Sequence, residues 1–219
     1  MNKSTNLPLD QFINHALYDK ENGYYMKKNP FGKEGDFITS PNITRLFSEI
    51  IAIWVITFWK SIGSPKKFNL IELGAGNGEM MKVVSETLKN FPDCFDSCNL
   101  IIHDKSSYLI NEQKKNLNSE KIIWVNEVEM DNTFPCIYLA NEFFDALPIK
   151  QFFKKENNWF ERYVNLKTYK KAEFNDKEVD IKIIEEELKF EISKDLSLIH
   201  ISEPTRPERR AYAVVCVKK

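Results

Sequence analysis

Three glycines fall within five positions, directly after a short apolar segment. The apolar segment, residues 68–73, predicts a β-strand, and the apolar spacing from about residue 78 onward predicts a helix. The turn between them reads ELGAGNGE, residues 72–79. Open α/β sheets bind nucleotide-like ligands at this place, where the carboxyl end of a strand turns into a helix. The alternative is a tight turn that binds nothing.

The charges beside these glycines distinguish two kinds of ligand. A dinucleotide site has the spacing GxGxxG, and its pyrophosphate lies at the helix N-terminus. Here the spacing is GxGxG, and Glu72 and Glu79 flank it, so that two carboxylates would repel a pyrophosphate. The same carboxylates suit a ligand that carries an ammonium and a sulfonium group. The turn therefore predicts a site for S-adenosylmethionine (SAM), with glycines that let the backbone approach the methionine portion.

Asp104 ends a second predicted strand, residues 100–103, and is placed to accept hydrogen bonds from both hydroxyls of a ribose. Sites for NAD and for SAM both use an acid in this way. Asp104 therefore supports a nucleoside without choosing between the two. The alternative is an acid that caps the following helix or is solvated.

The elements that must position these residues alternate along the chain. Two further strands are predicted at residues 122–125 and 136–140, after helical or irregular connections. Alternation of this kind favours a parallel sheet in an α/β fold, because parallel neighbours need crossover connections that cover the faces of the sheet. The turn-like segment between residues 149–153 and 159–164 predicts an inserted β-hairpin.

An N-terminal helical segment is expected before the sheet. Residues 9–17 show a short helical pattern, and a long helix is predicted from a cap at Ser40, with Pro41 in its first turn. The apolar run at residues 50–59 lies within this helix and is expected in the core.

Composition makes several partners and sites improbable. The chain has 31 Lys+Arg against 32 Asp+Glu, so its charge gives no reason to expect nucleic acid or an anionic membrane as a partner. The longest apolar run is far shorter than the ~20 residues that span a bilayer, so no membrane span is predicted. The four cysteines lack the spacing of a metal site, and no targeting peptide is visible. We therefore expect no metal and a cytoplasmic protein.

Three segments together resemble one family of enzymes: GDFITSP at residues 35–41, ELGAGNG at 72–78 and ANEFFDALP at 140–148. They are similar to the MidA family of class I SAM-dependent methyltransferases. Its eukaryotic member is a mitochondrial protein-arginine methyltransferase that assists the assembly of respiratory complex I. The resemblance covers roughly residues 8–195 and implies a Rossmann-like fold and a protein substrate, a subunit of complex I. Asn42 departs from the Glu that is usual after TSP.

The resemblance also implies two groups of site residues. The expected cofactor contacts are Glu72, Gly74, Gly76, Gly78, Asp104 and Asn141. The expected lid or substrate contacts are Asp36, Thr39, Ser40 and Phe143. For Phe143 the alternative is a residue of the core.

Glu142 and Asp145 are the candidates for catalysis. Methyl transfer needs alignment of the nucleophile and exclusion of water. A guanidinium nucleophile has a pKa above about 12, so carboxylates that hold and orient it are expected. The alternative is structural, with Glu142 bonded to loop amides and Asp145 capping a turn.

The end of the chain differs from the rest. Residues 196–206, LSLIHISEPTR, match the read-through translation of a widely used sequencing adapter, and arginine becomes frequent there. We therefore expect a helical cap segment at 1–65, a SAM-binding core at 66–148, a hairpin and charged insertion at 149–195, and a non-native tail at 196–219. The chain would then be the N-terminal portion of an enzyme, with a sheet left incomplete after its fourth strand and prone to aggregate.

Three functions remain open at this point. The first is a protein-arginine methyltransferase that acts on a respiratory-complex subunit. The second is a small-molecule methyltransferase with the same cofactor site, and the third is a non-catalytic SAM-binding assembly chaperone. Substrate choice depends on loops and on absent sequence, so the residues do not separate these functions.

Overall fold

The computed structural model describes residues 5–27, 30–31, 35–117, 121–127, 133–168, 171–188 and 213–218. The strands in these ranges are β1 (Thr5–Pro8), β2 (Phe68–Leu73), β3 (Cys98–His103), β4 (Ile122–Val125), β5 (Cys136–Asn141), β6 (Phe152–Lys155), β7 (Asn158–Thr168), β8 (Lys171–Val179) and β9 (Ala213–Lys218). The helices are α1 (Leu9–Tyr18), α2 (Tyr24–Lys27), α3 (Ser40–Ile43), α4 (Arg45–Ser61), α5 (Glu79–Leu88), α6 (Pro92–Ser97), α7 (Ser107–Asn116) and α8 (Ile181–Leu188).

The chain divides into two compact units, each with its own sheet. The parallel-sheet unit comprises residues 24–144 and 209–219, and the antiparallel-sheet unit comprises 1–23 and 145–208. This division differs from the expected one. Residues 24–65 belong with the sheet that follows them because α4 packs against α5, and the first residues belong with the hairpin because β1 pairs with β7.

The parallel sheet has the strand order β4-β3-β2-β5-β9. Its first four strands run parallel, as the alternation of elements predicts. Side chains of Leu70, Leu100, Ile102 and Ile137 are fully buried in these strands. Strands buried on both faces are characteristic of parallel sheets with covering helices.

The strand β9 lies antiparallel along β5, with Ile137 opposite Val217. The sheet therefore does not stop at its fourth strand, contrary to the expectation from the sequence. Without β9, the N–H and C=O groups along the edge of β5 would be unpaired. The apolar strand β9 satisfies them by backbone hydrogen bonding. The adapter-like residues 196–206 lie outside the described residues.

The long helix expected from residue 40 is broken into α3 and α4. Thr44 between them is extended, with φ −148°, and its Oγ1 accepts a hydrogen bond from the Leu46 N–H, which caps α4. Thr39, not Ser40, is the N-cap of α3. The apolar run at residues 50–59 reaches the core through one face of α4, whereas Ile50 and Ile53 on another face are exposed.

The antiparallel-sheet unit contains the predicted hairpin, in which β6 pairs with β7. β7 continues beyond the predicted range and also pairs with β8 and β1. β8 lies in the charged segment that the sequence analysis left without a strand. Charged residues are tolerated there because one face of an antiparallel sheet can be solvated.

Within the described ranges, none of the helices is long and apolar enough to cross a membrane. The same ranges contain no group of three or more His, Cys, Asp or Glu side chains placed to hold a metal ion.

Candidate cofactor site

The glycine turn leaves β2 in a backbone conformation that favours glycine. Gly74, Gly76 and Gly78 have φ angles of +66°, +56° and +85°. The Gly78 N–H donates to the Ala75 carbonyl at 2.8 Å, which closes the turn before α5. The Gly74 N–H donates to the His103 carbonyl at 2.8 Å, which ties the turn to the end of β3. Side chains with a Cβ would be strained at all three glycines.

Aromatic and aliphatic side chains lie close above these glycines. A Cβ added to Gly74 would lie 2.6 Å from the ring of Phe143, and one added to Gly76 would lie 3.2 Å from the ring of Phe31. The Phe143 ring thus lies against the glycine turn, and its contact with a substrate stays a prediction. Gly78 faces α7 and the Leu117 side chain, at 2.9 Å from the added Cβ, so the structure gives it a packing role.

Glu72 is a buried acid at the penultimate position of β2, with 3% of its surface exposed. Burial, together with the nearby charge of Asp104, raises the pKa of Glu72 to about 8. A hydrogen bond from the Met81 backbone lowers this pKa, but by less. Its Oε2 atom has no hydrogen-bond partner among the described residues. A buried acid of this kind is stabilised in its charged form by a cation brought next to it.

Asp104 follows β3 and is also buried. Its Oδ1 accepts from the Ser106 N–H at 2.9 Å, and its Oδ2 accepts from the Gln113 Nε2 at 2.8 Å. Burial raises the pKa of Asp104, although these hydrogen bonds favour the carboxylate and act in the opposite direction. An ionised carboxylate has about four acceptor positions, so hydroxyl groups of a ligand can still bind to it. Asp104 thus accepts hydrogen bonds from Ser106 and Gln113 and keeps acceptor positions for the hydroxyls of a ribose.

Asn141 ends β5 on the same side of the sheet as these acids. Glu72 is in register with Ile102 and Leu139, Asn141 lies two residues farther along β5 than Leu139, and Asp104 is the first residue after β3. Residues two apart in a strand point to the same face. The Asn141 Oδ1 is buried and has no hydrogen-bond partner among the described residues.

These groups fit the cofactor that the sequence predicts. SAM carries an ammonium group that suits the unpartnered oxygens of Glu72 and Asn141, and ribose hydroxyls that suit Asp104. The two oxygens without partners leave acceptors for such a ligand beside the glycine turn.

Gln113 and Trp124 were missed as site residues by the sequence analysis. The Gln113 amide reaches both Asp104 and the Gly76 carbonyl, and it accepts from the Trp124 indole N–H at 3.1 Å. Trp124 lies within the predicted strand at residues 122–125, and no motif singles out Gln113. A buried amide that faces an acid is set by tertiary contacts, which a local pattern does not show.

The predicted lid segment contacts the glycine turn through one asparagine. The Asn42 Nδ2 donates to the Thr39 Oγ1 at 2.9 Å, and the Asn42 Oδ1 accepts from the Asn77 Nδ2 at 2.7 Å. The departure from the family motif at residue 42 therefore connects this segment to the turn. Ser40 begins α3 beside it, and Asp36 accepts a hydrogen bond from the Tyr24 hydroxyl.

The two candidate catalytic acids have different settings. Glu142 directly follows β5, is exposed, and has a φ of +50°, which is uncommon for a residue other than glycine. Asp145 is exposed in the short 3₁₀ helix Phe144–Ala146 and belongs to the antiparallel-sheet unit. Neither placement tests a catalytic role.

A cavity of about 630 Å³ in the antiparallel-sheet unit contains none of the predicted site residues. Polar side chains of α1, including Asp10 and Asn14, line it. The cavity therefore does not include the glycine turn. The buried polar groups beside the turn, and not a cavity, identify it as the candidate cofactor site.

Comparisons with known proteins identify the family of the chain. Residues 50–212 match the family model Methyltransf_28, described as an S-adenosyl-L-methionine-dependent methyltransferase. A protein from Xenopus laevis named "Protein arginine methyltransferase NDUFAF7, mitochondrial" is 29% identical over 98% of this chain and 52% of its own length. The homologue of that name from Caenorhabditis elegans is 34% identical over 66% of this chain and 39% of its own length.

A crystal structure gives the same fold. It is a COG1565 superfamily member from Burkholderia thailandensis bound to S-adenosyl-homocysteine, with a TM-score of 0.68 and 22% identity over 84% of this chain and 49% of that chain. The chain thus spans about half the length of the relatives it matches.

The matched family confirms three predictions: the resemblance to the MidA methyltransferases, the Rossmann-like α/β fold class, and SAM as the cofactor of the enzyme class. The match covers well over half of the chain. The chain therefore belongs to this family of S-adenosyl-L-methionine-dependent methyltransferases.

Proposed function

We propose that this protein is a SAM-dependent protein-arginine methyltransferase. The observation that carries the proposal is the glycine turn bordered by the buried Glu72 and Asp104, with the Glu72 Oε2 left without a partner. The protein substrate is supported by the relatives, several of which are named as protein arginine methyltransferases. A subunit of respiratory complex I as substrate is supported by the resemblance of the motifs alone, and a cytoplasmic location stays a prediction.

The cofactor, when bound, supplies an activated methyl group for transfer to a nucleophile. Glu72 and Asn141 would hold its amino-acid end, because their unpartnered oxygens accept hydrogen bonds from an ammonium. Asp104 would accept from the ribose. Gly74 and Gly76 would hold the positive φ angles of the turn that lies beside the cofactor.

Glu142 is proposed to hold the guanidinium of the acceptor. It follows β5 directly after Asn141, so it lies at the same edge of the sheet as the cofactor site. A carboxylate there would pair with the guanidinium, orient one nitrogen and accept the proton lost on methylation. Asp145, the other acid that the sequence predicts for catalysis, belongs to the antiparallel-sheet unit, and its role stays a prediction. Phe143 and the segment with Asp36, Thr39 and Ser40 would exclude water.

The proposal is tested by mass spectrometry of cellular proteins with and without the intact gene. We expect methylarginine to disappear from at least one protein when the gene is deleted, and to return with the wild-type gene. A Glu142→Gln gene should fail to restore it. Loss of a methylated small molecule instead would identify the second function considered above. A phenotype restored by Glu142→Gln, with no change in methylation, would identify an assembly chaperone.

A further inference from the structure

Gln113 connects the two sides of the cofactor site through one side chain. It lies on α7 and is fully buried. Its Nε2 donates to the Asp104 Oδ2 at 2.8 Å and to the Gly76 carbonyl at 3.0 Å, and its Oε1 accepts from the Trp124 Nε1 at 3.1 Å. The amide thus spans from the glycine turn to the acid after β3.

The contact with Trp124 fixes which way the amide points. An indole N–H only donates, so it must face the amide oxygen of Gln113. Both hydrogens of the Nε2 are then directed at acceptors, the Asp104 carboxylate and the Gly76 carbonyl. A rotated amide would place its oxygen against these two acceptors and its nitrogen against the indole. Trp124 on β4 therefore determines the orientation of the group that holds Asp104.

We propose that Gln113 is a positioning residue that sets the separation of the glycine turn from the Asp104 carboxylate, with Trp124 fixing the direction of its amide. This inference rests on the proposed function. The other oxygen of Asp104 is held by the Ser106 N–H, so Gln113 is the side chain that fixes the orientation of Oδ2. Because Asp104 is assigned to the ribose and not to the reacting atoms, loss of Gln113 affects cofactor binding more than the methyl-transfer step.

The substitution Gln113→Glu separates this role from simple packing. A glutamate has nearly the same shape and still accepts from Trp124, but when ionised it cannot donate to Asp104 and adds a second negative charge beside it. The titratable groups around it are Asp104 itself, Glu72 and His103 near Asp104, and Lys114, whose Nζ lies 5.4 Å from the centre of the Trp124 ring. When protonated, the new side chain can donate one hydrogen bond again.

The experiment is calorimetric titration of the chain with S-adenosylhomocysteine (SAH) at pH 6 and pH 7.5. We expect the affinity of Gln113→Glu to stay within about threefold over this range, because ionisation of the new glutamate opposes the gain that ionisation of Glu72 brings to the wild type. A residue that only fills space would change the melting temperature and leave the pH dependence as in the wild type. A Gln113→Glu profile parallel to the wild type therefore overturns the inference.

Trp124→Phe is a second variant that keeps an aromatic ring and removes only the N–H donor. We expect its SAH dissociation constant and its KM for SAM to rise at least threefold, while kcat stays within twofold. If Gln113→Glu fails to fold, this split decides, and unchanged SAH binding by Trp124→Phe overturns the inference. Wild-type protein that does not bind SAH overturns the proposed function as well, whereas normal wild-type binding with unaffected variants overturns this inference alone.

Discussion

Cofactor binding should release a proton from Glu72, and this links affinity to pH. Burial raises the pKa of Glu72 to about 8, so the free protein holds this carboxyl protonated at neutral pH. An ammonium next to it favours the charged form. Binding then requires the carboxylate, and the apparent affinity is reduced by the fraction of molecules that are ionised.

The size of the effect follows from the pKa. With a pKa of about 8, about one molecule in 100 is ionised at pH 6 and about one in four at pH 7.5, so affinity should rise about 25-fold between these values. Near pH 7 about 0.9 proton should leave per ligand bound. The folded-state pKa lies above the unfolded value, and for an acid this means that stability falls as pH rises from about 4.5 to about 8.

The assay is calorimetry with SAH in buffers of different ionisation enthalpy, which reports proton release directly. Glu72→Gln should bind with an affinity independent of pH, and it should gain stability relative to the wild type as pH rises towards 8. Glu79→Gln, on the other side of the turn, is the matched control and should keep the wild-type slope. Wild-type affinity that does not change with pH, or a Glu72→Gln variant with the wild-type slope, would refute the reasoning.

Three further predictions concern single residues of the site. Gly74→Val should lose most SAM affinity, because its Cβ would lie 2.6 Å from the Phe143 ring. Gly63→Ala, at φ +91° with open space around it, should cost about 1–2 kcal/mol of stability and leave SAM affinity unchanged. Equal SAM affinities of the two variants in a titration would contradict this. Asp104→Ala should weaken SAH binding at least tenfold by calorimetry, and unchanged binding would remove Asp104 from the ribose site. Glu142→Gln should lower kcat at least tenfold in a methyl-transfer assay while SAM affinity stays within about threefold, and loss of folding in that variant would instead indicate a structural role.

The parts of the fold that could be predicted from sequence are those set by local pattern. The apolar runs of β2 to β5 alternate with connections long enough to cross over the sheet, and this alternation predicts parallel pairing. The glycines of the turn are visible because positive φ angles require them. Asp104 could be singled out because it directly follows a predicted strand, and its contact with a ribose stays a prediction.

The parts that could not be predicted depend on contacts between distant residues. The Gln113 amide is 9 residues from Asp104 and 37 from Gly76, and a buried glutamine on a helix looks like any polar position in the sequence. The break at Thr44 also escaped, because the apolar spacing continues across it and only the side-chain cap to Leu46 shows the interruption. The pairing of β9 with β5 is set by a free sheet edge and not by any motif.

The central claim is that the glycine turn binds SAM and not NAD, and its most direct test compares the affinities of the wild-type chain for SAH and for NAD. Calorimetric titrations of the wild-type chain with SAH and with NAD, in the same buffer at pH 7.5, measure both affinities. The account predicts saturable binding of one SAH per chain, weakened at least tenfold by Asp104→Ala, and no measurable binding of NAD, because Glu79 and the ionised form of Glu72 beside the glycine turn repel a pyrophosphate. NAD bound as tightly as SAH, or more tightly, would contradict the assignment of the site to SAM.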